Sequence, residues 1–309
     1  GNGNHLLATL FRFRERMQVA IALALPEPHA SLMAGMLLGN KGTLAKNITE
    51  NFRITGVSHI LAISGFNITL ILFFLVTVLH TLHVSRRLRF WLTLTIIVLF
   101  IIMVGAEASV VRAGIMGGMM ALAGYVGRRN QAWRALLLSA AAMVAFHPAI
   151  LVFDLGFQLS FLSMLGLIYA APMCEALLAH IMPTFWGLRQ ILATTLGAIL
   201  LTLPLLAFTF HQISLISPGA NLIVLPIVAP LTMVGAFGIL VMILIPWSAP
   251  LWGAILWPLL SYLIGITSFL AQLPFASITI PDISPLMVAL MYSVIGVILW
   301  RARHVSSSP

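Results

Sequence analysis

The chain has 309 residues, of which 61% are hydrophobic and only 7% are charged. Soluble domains carry about 25% charged residues, so this composition excludes a globular surface that faces water on all sides. The formal net charge of +9 does not by itself indicate a nucleic-acid partner, because cytoplasmic loops of membrane proteins are also rich in Lys and Arg.

Residues 1–56 are predicted to form an outer-side basic and amphipathic segment. The chain begins GNGN, with no initiator Met and no signal-peptide pattern, and is expected to be a central piece of a longer protein. Stretch 17–38 is apolar, but LPEPH at 25–29 interrupts it. Proline inside a helix costs about 3 kcal/mol, so two short amphipathic helices lying on the membrane are preferred to one span. A single span over 17–38 is the alternative.

Residues 57–309 are predicted to form a polytopic membrane domain. A spanning helix needs about 20 mostly apolar residues. Such runs occur at roughly 57–82, 90–106, 109–127, 132–152, 156–180, 188–211, 219–245, 250–272 and 285–300. The predicted fold class is therefore all-α: a polytopic helical membrane protein with about nine membrane segments, some broken or kinked, preceded by short interfacial amphipathic helices.

Basic loops alternate along the chain with loops that lack basic residues. The basic ones are 83–89, 127–134 and the C-terminal 301–304, whereas 105–109, 147–154, 211–219 and 272–285 have none. The positive-inside rule then places the basic loops and the C-terminus in the cytoplasm. Residues 1–56 fall outside, where Lys41, Lys46 and Arg53 are basic. Contact with anionic headgroups and an entrance that attracts an anionic substrate are both open.

Polar residues inside the predicted spans mark candidate sites, because such groups are costly in a membrane and usually face a bundle interior or a water-filled path. SHILAISGFNITL at 58–70 places His59, Ser64, Gly65 and Asn67 close together. On a continuous helix, His59, Ser64 and Asn67 fall within an arc of about 140°. A helix break at Ser64–Gly65 that lines a cavity and ordinary helix–helix hydrogen bonding are both open.

Two further clusters each contain a charged residue in or beside a predicted span, a cation in the first and a carboxylate in the second. GAEASVVRAGIMGG at 105–118 places Arg112 inside a span, where it should pair with a carboxylate or meet an anion. HPAILVFDLGFQLSF at 147–161 places Asp154 at the outer mouth of the next span but one, followed by Gln158. Asp154 is predicted to be the N-cap of this helix, with a salt bridge to Arg112 as a second role.

The fourth cluster is rich in proline. TLPLLAFTFHQISLISPGANLIVLPIVAPL at 202–231 contains Pro204, Pro218, Pro226 and Pro230 in or beside apolar runs. This density predicts kinked or broken helices, which often surround the path in transporters. Asn221 lies between two of the predicted breaks.

The ordered set HILAISGFNITL, SVVRAGIM followed by YVGRR, HPAILVFDLGFQLSF and FHQISLISPGANLIVLP resembles the competence domain of the ComEC family. The resemblance covers roughly residues 30–240. Members of that family are implicated in natural transformation, in carrying one strand of incoming DNA across the bacterial cytoplasmic membrane. The resemblance implies a channel for single-stranded DNA in that membrane, with no enzymatic activity, no cofactor and no metal site in this chain.

The resemblance also implies which residues line or shape the path. They are His59, Ser64, Gly65, Arg112, Asp154, Gly156, Gln158, Ser160, Asn221 and Pro226, none of them catalytic. Asn67 is added from its place in the first polar cluster, and the charge pattern adds Lys41, Lys46 and Arg53 as an outer basic entrance. The family motif commonly reads SGLH, whereas this chain has Phe66 and Asn67, so the role of Asn67 is open. The implied partners are single-stranded DNA, the lipid bilayer, flanking domains of the same full-length protein and other DNA-uptake proteins.

Two other functions are weighed against DNA transport. The first is a transporter for a small solute or anion, which is expected to show an internal repeat, and the sequence shows none. The second is an intramembrane hydrolase with Ser64 as nucleophile and His59 as base. These two residues lie about 140° apart on a continuous helix, so they would meet only across a helix break.

Overall fold

The structure, a computed structural model, describes residues 5–39, 44–61, 74–126, 132–182 and 187–306. The described part is almost entirely helical. The α-helices are α1 (His5–Ala24), α2 (His29–Leu38), α3 (Lys46–Ile54), α4 (74–81), α5 (Arg86–Val104), α6 (Ala108–Val126), α7 (Ala132–Phe146), α8 (Ile150–Phe153), α9 (Leu155–Leu165), α10 (Ala171–Leu178), α11 (Leu188–Phe210), α12 (Ser217–Leu244), α13 (Ala249–Ala271) and α14 (Pro285–Ser306). Single turns of 3₁₀-helix lie at Ser58–Ile60 and Pro246–Ser248, a π-helical turn lies at Gly166–Ala170, and β1 (Gln212–Ser214) pairs with β2 (Ser277–Thr279).

Within the described residues, 5 helices are long and apolar enough to cross a membrane. They are Arg86–Val104, Leu155–Leu178, Leu188–Phe210, Ser217–Leu244 and Pro246–Ala271, and shorter apolar helices lie at His29–Leu38, Ala108–Ala123, Ala132–Phe146 and Pro285–Arg301. The prediction of an all-α, polytopic membrane protein is confirmed. The count of nine spans stays a prediction, because part of the first predicted span lies outside the described residues.

The amino-terminal segment forms a helical hairpin inside the bundle. Helix α1 contacts α5, α12 and α13, and α2 contacts α12 and α13. Every residue from Ala30 to Leu38 is buried. A methyl group added at Gly253 would collide with the carbonyl oxygen of Ala24, and one added at Gly235 would collide with the Met33 side chain. The predicted amphipathic character is therefore wrong for α2: a helix that is apolar all round is stabilised by burial, here between neighbouring helices.

Helix α2 (10 residues) lies antiparallel to the second half of α1 (20 residues). Arg14 of α1 donates from Nη2 to the carbonyl of Leu38 at the end of α2 (3.1 Å) and from Nη1 to the carbonyl of Met103 near the end of α5 (3.4 Å). Cations are favourable at helix C-termini, so one guanidinium joins three helices. At a rise of 1.5 Å per residue, each arm extends about 15 Å from this level to the turn at 25–28.

Polar contacts hold the same segment against α13. The imidazole Nε2 of His29 lies 2.8 Å from the hydroxyl of Ser261, and the amide of Asn51 donates to the hydroxyl of Ser268 (3.0 Å). The two serines are two helical turns apart, about 10 Å along the axis. The amino-terminal segment is thus part of the bundle core, and the domain boundary predicted at residue 56 stays a prediction.

The helix that runs from Leu155 to Leu178 changes its hydrogen-bond pattern in the middle. Pro172 has no N–H, and the N–H of the preceding Ala171 donates to the carbonyl of Gly166, five residues back. The π-helical turn lies against α11, where Gly166 packs so closely on Gly197 that a methyl group on Gly166 would collide with the Gly197 carbonyl oxygen. Small residues permit such an approach between membrane helices.

The predicted breaks at the prolines of 202–231 are not all present. Helix α11 runs through Pro204, and α12 runs without interruption through Pro226 and Pro230. The chain instead breaks between these helices, at residues 211–216, where β1 lies. A proline can stay in a membrane helix when neighbouring groups satisfy the freed backbone. The missing N–H of Pro204 frees the carbonyl of Leu200, and the hydroxyl of Tyr292 in α14 donates to the adjacent carbonyl of Leu201 (3.2 Å).

Candidate functional site

Arg112 lies in the first turns of α6 and is buried, with 7% of its surface exposed. Its Nη1 donates to the carbonyl oxygen of Ser160 in α9. Its guanidinium carbon lies 5.7 Å from the centre of the Phe161 ring, a separation at which an aromatic face stabilises a cation. The buried Nε has no hydrogen-bond partner. The site therefore holds a cation with one donor unsatisfied, and an unsatisfied donor on a charged group costs more than about 1–3 kcal/mol.

Asp154 does not neutralise Arg112. Its carboxylate Oδ1 accepts a hydrogen bond from the backbone N–H of Phe157 (2.7 Å), which makes Asp154 the N-cap of α9. The N-cap prediction is confirmed, and the predicted salt bridge to Arg112 is wrong, because the ion pairs among the described residues do not include Arg112. The guanidinium reaches α9 more than a turn beyond the cap, at Ser160.

Gln158 and Ser160 contribute mainly through backbone contacts. The Gln158 amide donates to the carbonyls of Leu151 (2.9 Å) and Val152 (3.0 Å), so it satisfies groups that the end of α8 leaves free. The Ser160 carbonyl accepts from both Arg112 and the Ser163 hydroxyl. The two predicted path residues thus stabilise the α8–α9 corner and the Arg112 contact.

His59 lies in the 3₁₀ turn that follows α3. Its neighbours Val57 and Ile60 are buried, whereas the His59 side chain is exposed. The turn therefore presents the imidazole at the surface of the described residues. Ser64, Gly65 and Asn67 lie outside the described residues, so the predicted helix break there stays a prediction.

Asn221 is buried in the first turns of α12. Its amide donates to the carbonyl (2.9 Å) and the hydroxyl (3.2 Å) of Ser217. A Cβ added at Gly56 would lie only 2.5 Å from the same hydroxyl, and Gly56 has a left-handed φ of +72°. Asn221 therefore stabilises the surface on which the Gly56–His59 segment rests. Pro226, further along α12, is exposed.

The structure brings the predicted residues together as two groups. Val110 and Ala113 of α6 belong to the main apolar cluster, which also contains Ile60. Phe161 belongs to a second cluster with residues of α6, α7 and α9. Arg112 reaches from α6 to this second cluster, about 200° around the helix from Val110. Helix α6 therefore lies between a group near His59 and Asn221 and a group around Arg112 and Asp154.

Arg53, one of the residues predicted to form an outer basic entrance, is paired with a carboxylate. Arg53 forms two hydrogen bonds with the carboxylate of Glu50 (2.9 and 2.8 Å), and these hold the pKa of that carboxyl below its usual range. Lys46 is exposed at the start of α3, and Lys41 lies outside the described residues. The pairing with Glu50 offsets the positive charge of Arg53.

Sequence reasoning did not single out Ser217, Gly56 or the ring of Phe161 as parts of the two groups. The dipeptide Ser217–Pro218 at a predicted helix start is the signal that could have identified the first. Among the described residues, no three His, Cys, Asp or Glu side chains come together in a way that could hold a metal ion.

Comparisons with known proteins agree on one relationship. A family model described as "Competence protein" matches residues 36–304. Among curated proteins, the chain is similar to ComE operon protein 3 of Bacillus subtilis (strain 168), with 29% identity over 202 residues. The matched segment covers 65% of this chain and 25% of that relative. No solved structure matches the chain.

Proposed function

The chain belongs to the competence protein family, and on that premise we propose that it forms the path by which single-stranded DNA crosses the bacterial cytoplasmic membrane during natural transformation. The proposed role is transport rather than catalysis. The membership, the apolar helices and the buried cation at Arg112 support it together.

The environment of Arg112 is the single observation that carries this proposal. A buried arginine in an apolar helix is costly unless it is paired, and its Nε has no partner among the described residues. The carbonyl of Ser160 and the Phe161 ring hold the guanidinium in place. A DNA phosphate would satisfy the remaining hydrogen-bonding capacity of such a group.

The two groups of polar residues suggest two contacts along the path. His59 is proposed as the outer contact. It is exposed in the turn that follows Gly56, which rests on Ser217 beside Asn221. Arg112 is proposed as the deeper contact, on the other side of α6. Single-stranded DNA is a flexible polyanion with stackable bases, so it can follow charged and aromatic groups that are not in one line.

The orientation belongs to the same proposal. The basic loops near 83–89 and 127–134 and the basic C-terminus are placed in the cytoplasm by the positive-inside rule. The β1–β2 sheet and α3 then lie on the side from which DNA arrives. Flanking domains of the full-length protein and other DNA-uptake proteins are proposed as partners, together with the bilayer itself.

Transport of a small anion is the second candidate, and the same observation favours it. An unsatisfied guanidinium N–H can donate to an inorganic anion as readily as to a phosphodiester. The two functions differ in whether a polymer must pass, so the experiment measures DNA directly.

The test is DNA uptake by cells in which Arg112 is replaced at the native locus. We expect Arg112→Ala to lower both the transformation frequency and the labelled DNA that reaches the cytoplasm by about tenfold to a hundredfold, since hydrogen bonds to charged groups contribute about 1.5–3 kcal/mol. Arg112→Lys, which retains the charge but not the planar guanidinium, should fall between Ala and the unchanged protein.

Arg134→Ala is the matched control, because Arg134 is an exposed arginine whose guanidinium lies over its neighbour Trp133. Immunoblots of the membrane fraction check that each variant is present in equal amount. Normal uptake in both Arg112 variants at equal abundance would rule out a DNA path along this residue. Normal DNA uptake combined with loss of phosphate or sulfate transport would favour the small-anion function.

A further inference from the structure

Phe275 has an unusual backbone conformation and an unusual exposure for a large apolar residue. Its φ is +65°, in the left-handed region that favours glycine, and a bulky residue there costs on the order of 1–2 kcal/mol. Its side chain is 80% exposed. A strained backbone that presents an aromatic ring to its surroundings is typical of a ligand contact.

The turn around Phe275 is held by backbone hydrogen bonds on both sides. The N–H of Ala276 donates to the Leu273 carbonyl (3.1 Å), and the Ala276 carbonyl accepts from the N–H groups of Leu215 (3.0 Å) and Ile216 (3.4 Å). The next residue, Ser277, starts β2 and accepts a hydrogen bond from the amide of Gln212 (2.6 Å). The ring therefore extends from a fixed support.

The ring belongs to an exposed apolar patch outside the candidate spans. Leu215 is 52% exposed and Leu273 is 37% exposed. They lie in the segments that connect α11 to α12 and α13 to α14, respectively. A shallow groove of about 350 Å³ runs along the patch, lined by Leu215, Ile216, Leu273, Pro274, Phe275 and Ala276. Exposed apolar patches mark surfaces that bind a ligand, a protein or a membrane.

The patch is continuous with the outer group of the candidate site. Gly56, three residues before His59, lies against Ser217 and Ser214, and Ser214 ends the strand that pairs with β2. Helix α3, which carries Lys46 and Arg53, also contacts β1. A strand of DNA that reaches His59 would pass the sheet and α3.

We infer that Phe275 and the adjacent groove stack a nucleobase of incoming single-stranded DNA before it reaches His59. The inference rests on the proposed function, since it names a contact on the same path. Segment 272–285 contains no Lys or Arg, so its contact with DNA is through the bases rather than the phosphates. Stacking on an aromatic face tolerates every base, as uptake of DNA of any sequence requires.

The test separates an aromatic contact from a merely apolar one. Phe275→Leu keeps an apolar side chain and removes the aromatic face, whereas Phe275→Trp keeps the face. Each variant is made in the full-length protein at its native locus and assayed for labelled DNA uptake at limiting DNA concentration. We expect uptake to fall several-fold in Phe275→Leu and Phe275→Ala and to stay near the unchanged level in Phe275→Trp.

A second measurement detects the contact itself. Membranes that contain the protein are irradiated with a single-stranded oligonucleotide carrying 5-iododeoxyuridine, which crosslinks to a stacked aromatic ring. Crosslinking should map to the peptide that contains Phe275 and disappear in Phe275→Leu. Ile278→Ala, on the same sheet, is the control and should leave crosslinking and uptake unchanged.

Three outcomes would overturn the inference. The first is uptake by Phe275→Leu equal to that of the unchanged protein, as expected for an anchor in the lipid interface. The second is crosslinking that persists without the ring, and the third is an equal loss in Ile278→Ala. Each leaves the proposed function intact if Arg112→Ala still lowers uptake, whereas failure of the unchanged protein to support uptake over a deletion strain defeats the proposed function itself.

Discussion

Most polar side chains in the described spans bond within their own helix. The hydroxyls of Thr202, Thr232 and Thr267 each donate to the carbonyl four residues earlier, and Asn221 bonds to Ser217 within α12. Such local bonding satisfies a polar group without any aqueous path. Arg112 is an exception, because it bonds to another helix and keeps a donor unsatisfied. Arg189 also keeps its Nε unsatisfied, but it is paired with Glu175 of α10.

Asp154 gives a prediction at this scale. Asp154→Ala removes the acceptor for the Phe157 N–H and should lower the free energy of unfolding by about 1 kcal/mol. The measurement is thermal or denaturant unfolding of the detergent-purified protein. If DNA uptake falls by more than the loss of folded protein explains, the carboxylate also acts on the path.

Asp154→Asn is the matched control for the cap. Asparagine is as good an N-cap as aspartate but carries no charge, so we expect its stability to be close to that of the unchanged protein. An unfolding free energy as low as that of Asp154→Ala would contradict the capping role.

At the scale of elements, close backbone contacts between helices determine the packing. The π-helical turn at Gly166–Ala170 lies directly on α11 at Gly197, and the end of α1 lies directly on α13 at Gly253. Membrane helices gain little from apolar burial against each other, because lipid is equally apolar, so close packing contributes more of their association. Glycine at these crossings is therefore a structural requirement.

Gly166 gives a prediction for this crossing. Gly166→Ala would place a methyl group against the carbonyl of Gly197, and overpacking of this kind costs about 1–3 kcal/mol. We expect a lower unfolding temperature of the purified protein and less protein in the membrane fraction. The unfolding temperature is measured by heating detergent extracts and following the soluble protein on size-exclusion chromatography. The amount in the membrane fraction is measured by immunoblot.

Gly265→Ala in α13 is the control, since no atom beyond its own helix lies within 4 Å of the added methyl group. Alanine has the higher helix propensity, by up to about 1 kcal/mol, so this variant should be as stable as the unchanged protein or more so. Equal behaviour of the two alanine variants would show that the α11 crossing is looser than described.

At the scale of the whole molecule, the amino-terminal hairpin and the long helices form one apolar core. Residues of α1, α2, α3, α12 and α13 share a single buried cluster with parts of α5 and α6. A smaller cluster between α6, α7 and α9 lies beside it. The hairpin enters and leaves the bundle at the level of Arg14 and Leu38, so both of its ends should lie on the same side of the membrane.

Cysteine labelling tests this arrangement. In a Cys174→Ser background, single cysteines at Thr9 and Thr49, both exposed, should react with a membrane-impermeant maleimide in intact spheroplasts. A cysteine at Leu88, which is 53% exposed, should react only after permeabilisation. Protection of Thr9→Cys together with reaction of Thr49→Cys would mean that 17–38 crosses the membrane and would contradict the hairpin.

The sequence alone predicted the class of fold, the positions of the long helices and the N-cap at Asp154, because these depend on local composition and on residues close in the chain. It did not predict that α2 is buried or that Arg14 joins three helices, because hydropathy reports length and apolarity but not neighbours. The predicted salt bridge from Arg112 to Asp154 was wrong because the sequence does not give the register between α6 and α9. Each charged group instead bonds to a nearby backbone group, Arg112 to the Ser160 carbonyl and Asp154 to the Phe157 N–H.

The hairpin formed by α1 and α2 also affects how crossings are counted in this protein. A hairpin that returns to the side from which it came does not change whether the number of crossings is even or odd. Its 22 apolar-rich residues at 17–38 nevertheless have the length of a full span. A count that scores it as one crossing reverses the assigned side of every later loop unless it also moves the amino terminus. Enzyme fusions that distinguish inside from outside should therefore be placed after α3. The number of crossings between two such fusions does not depend on the hairpin.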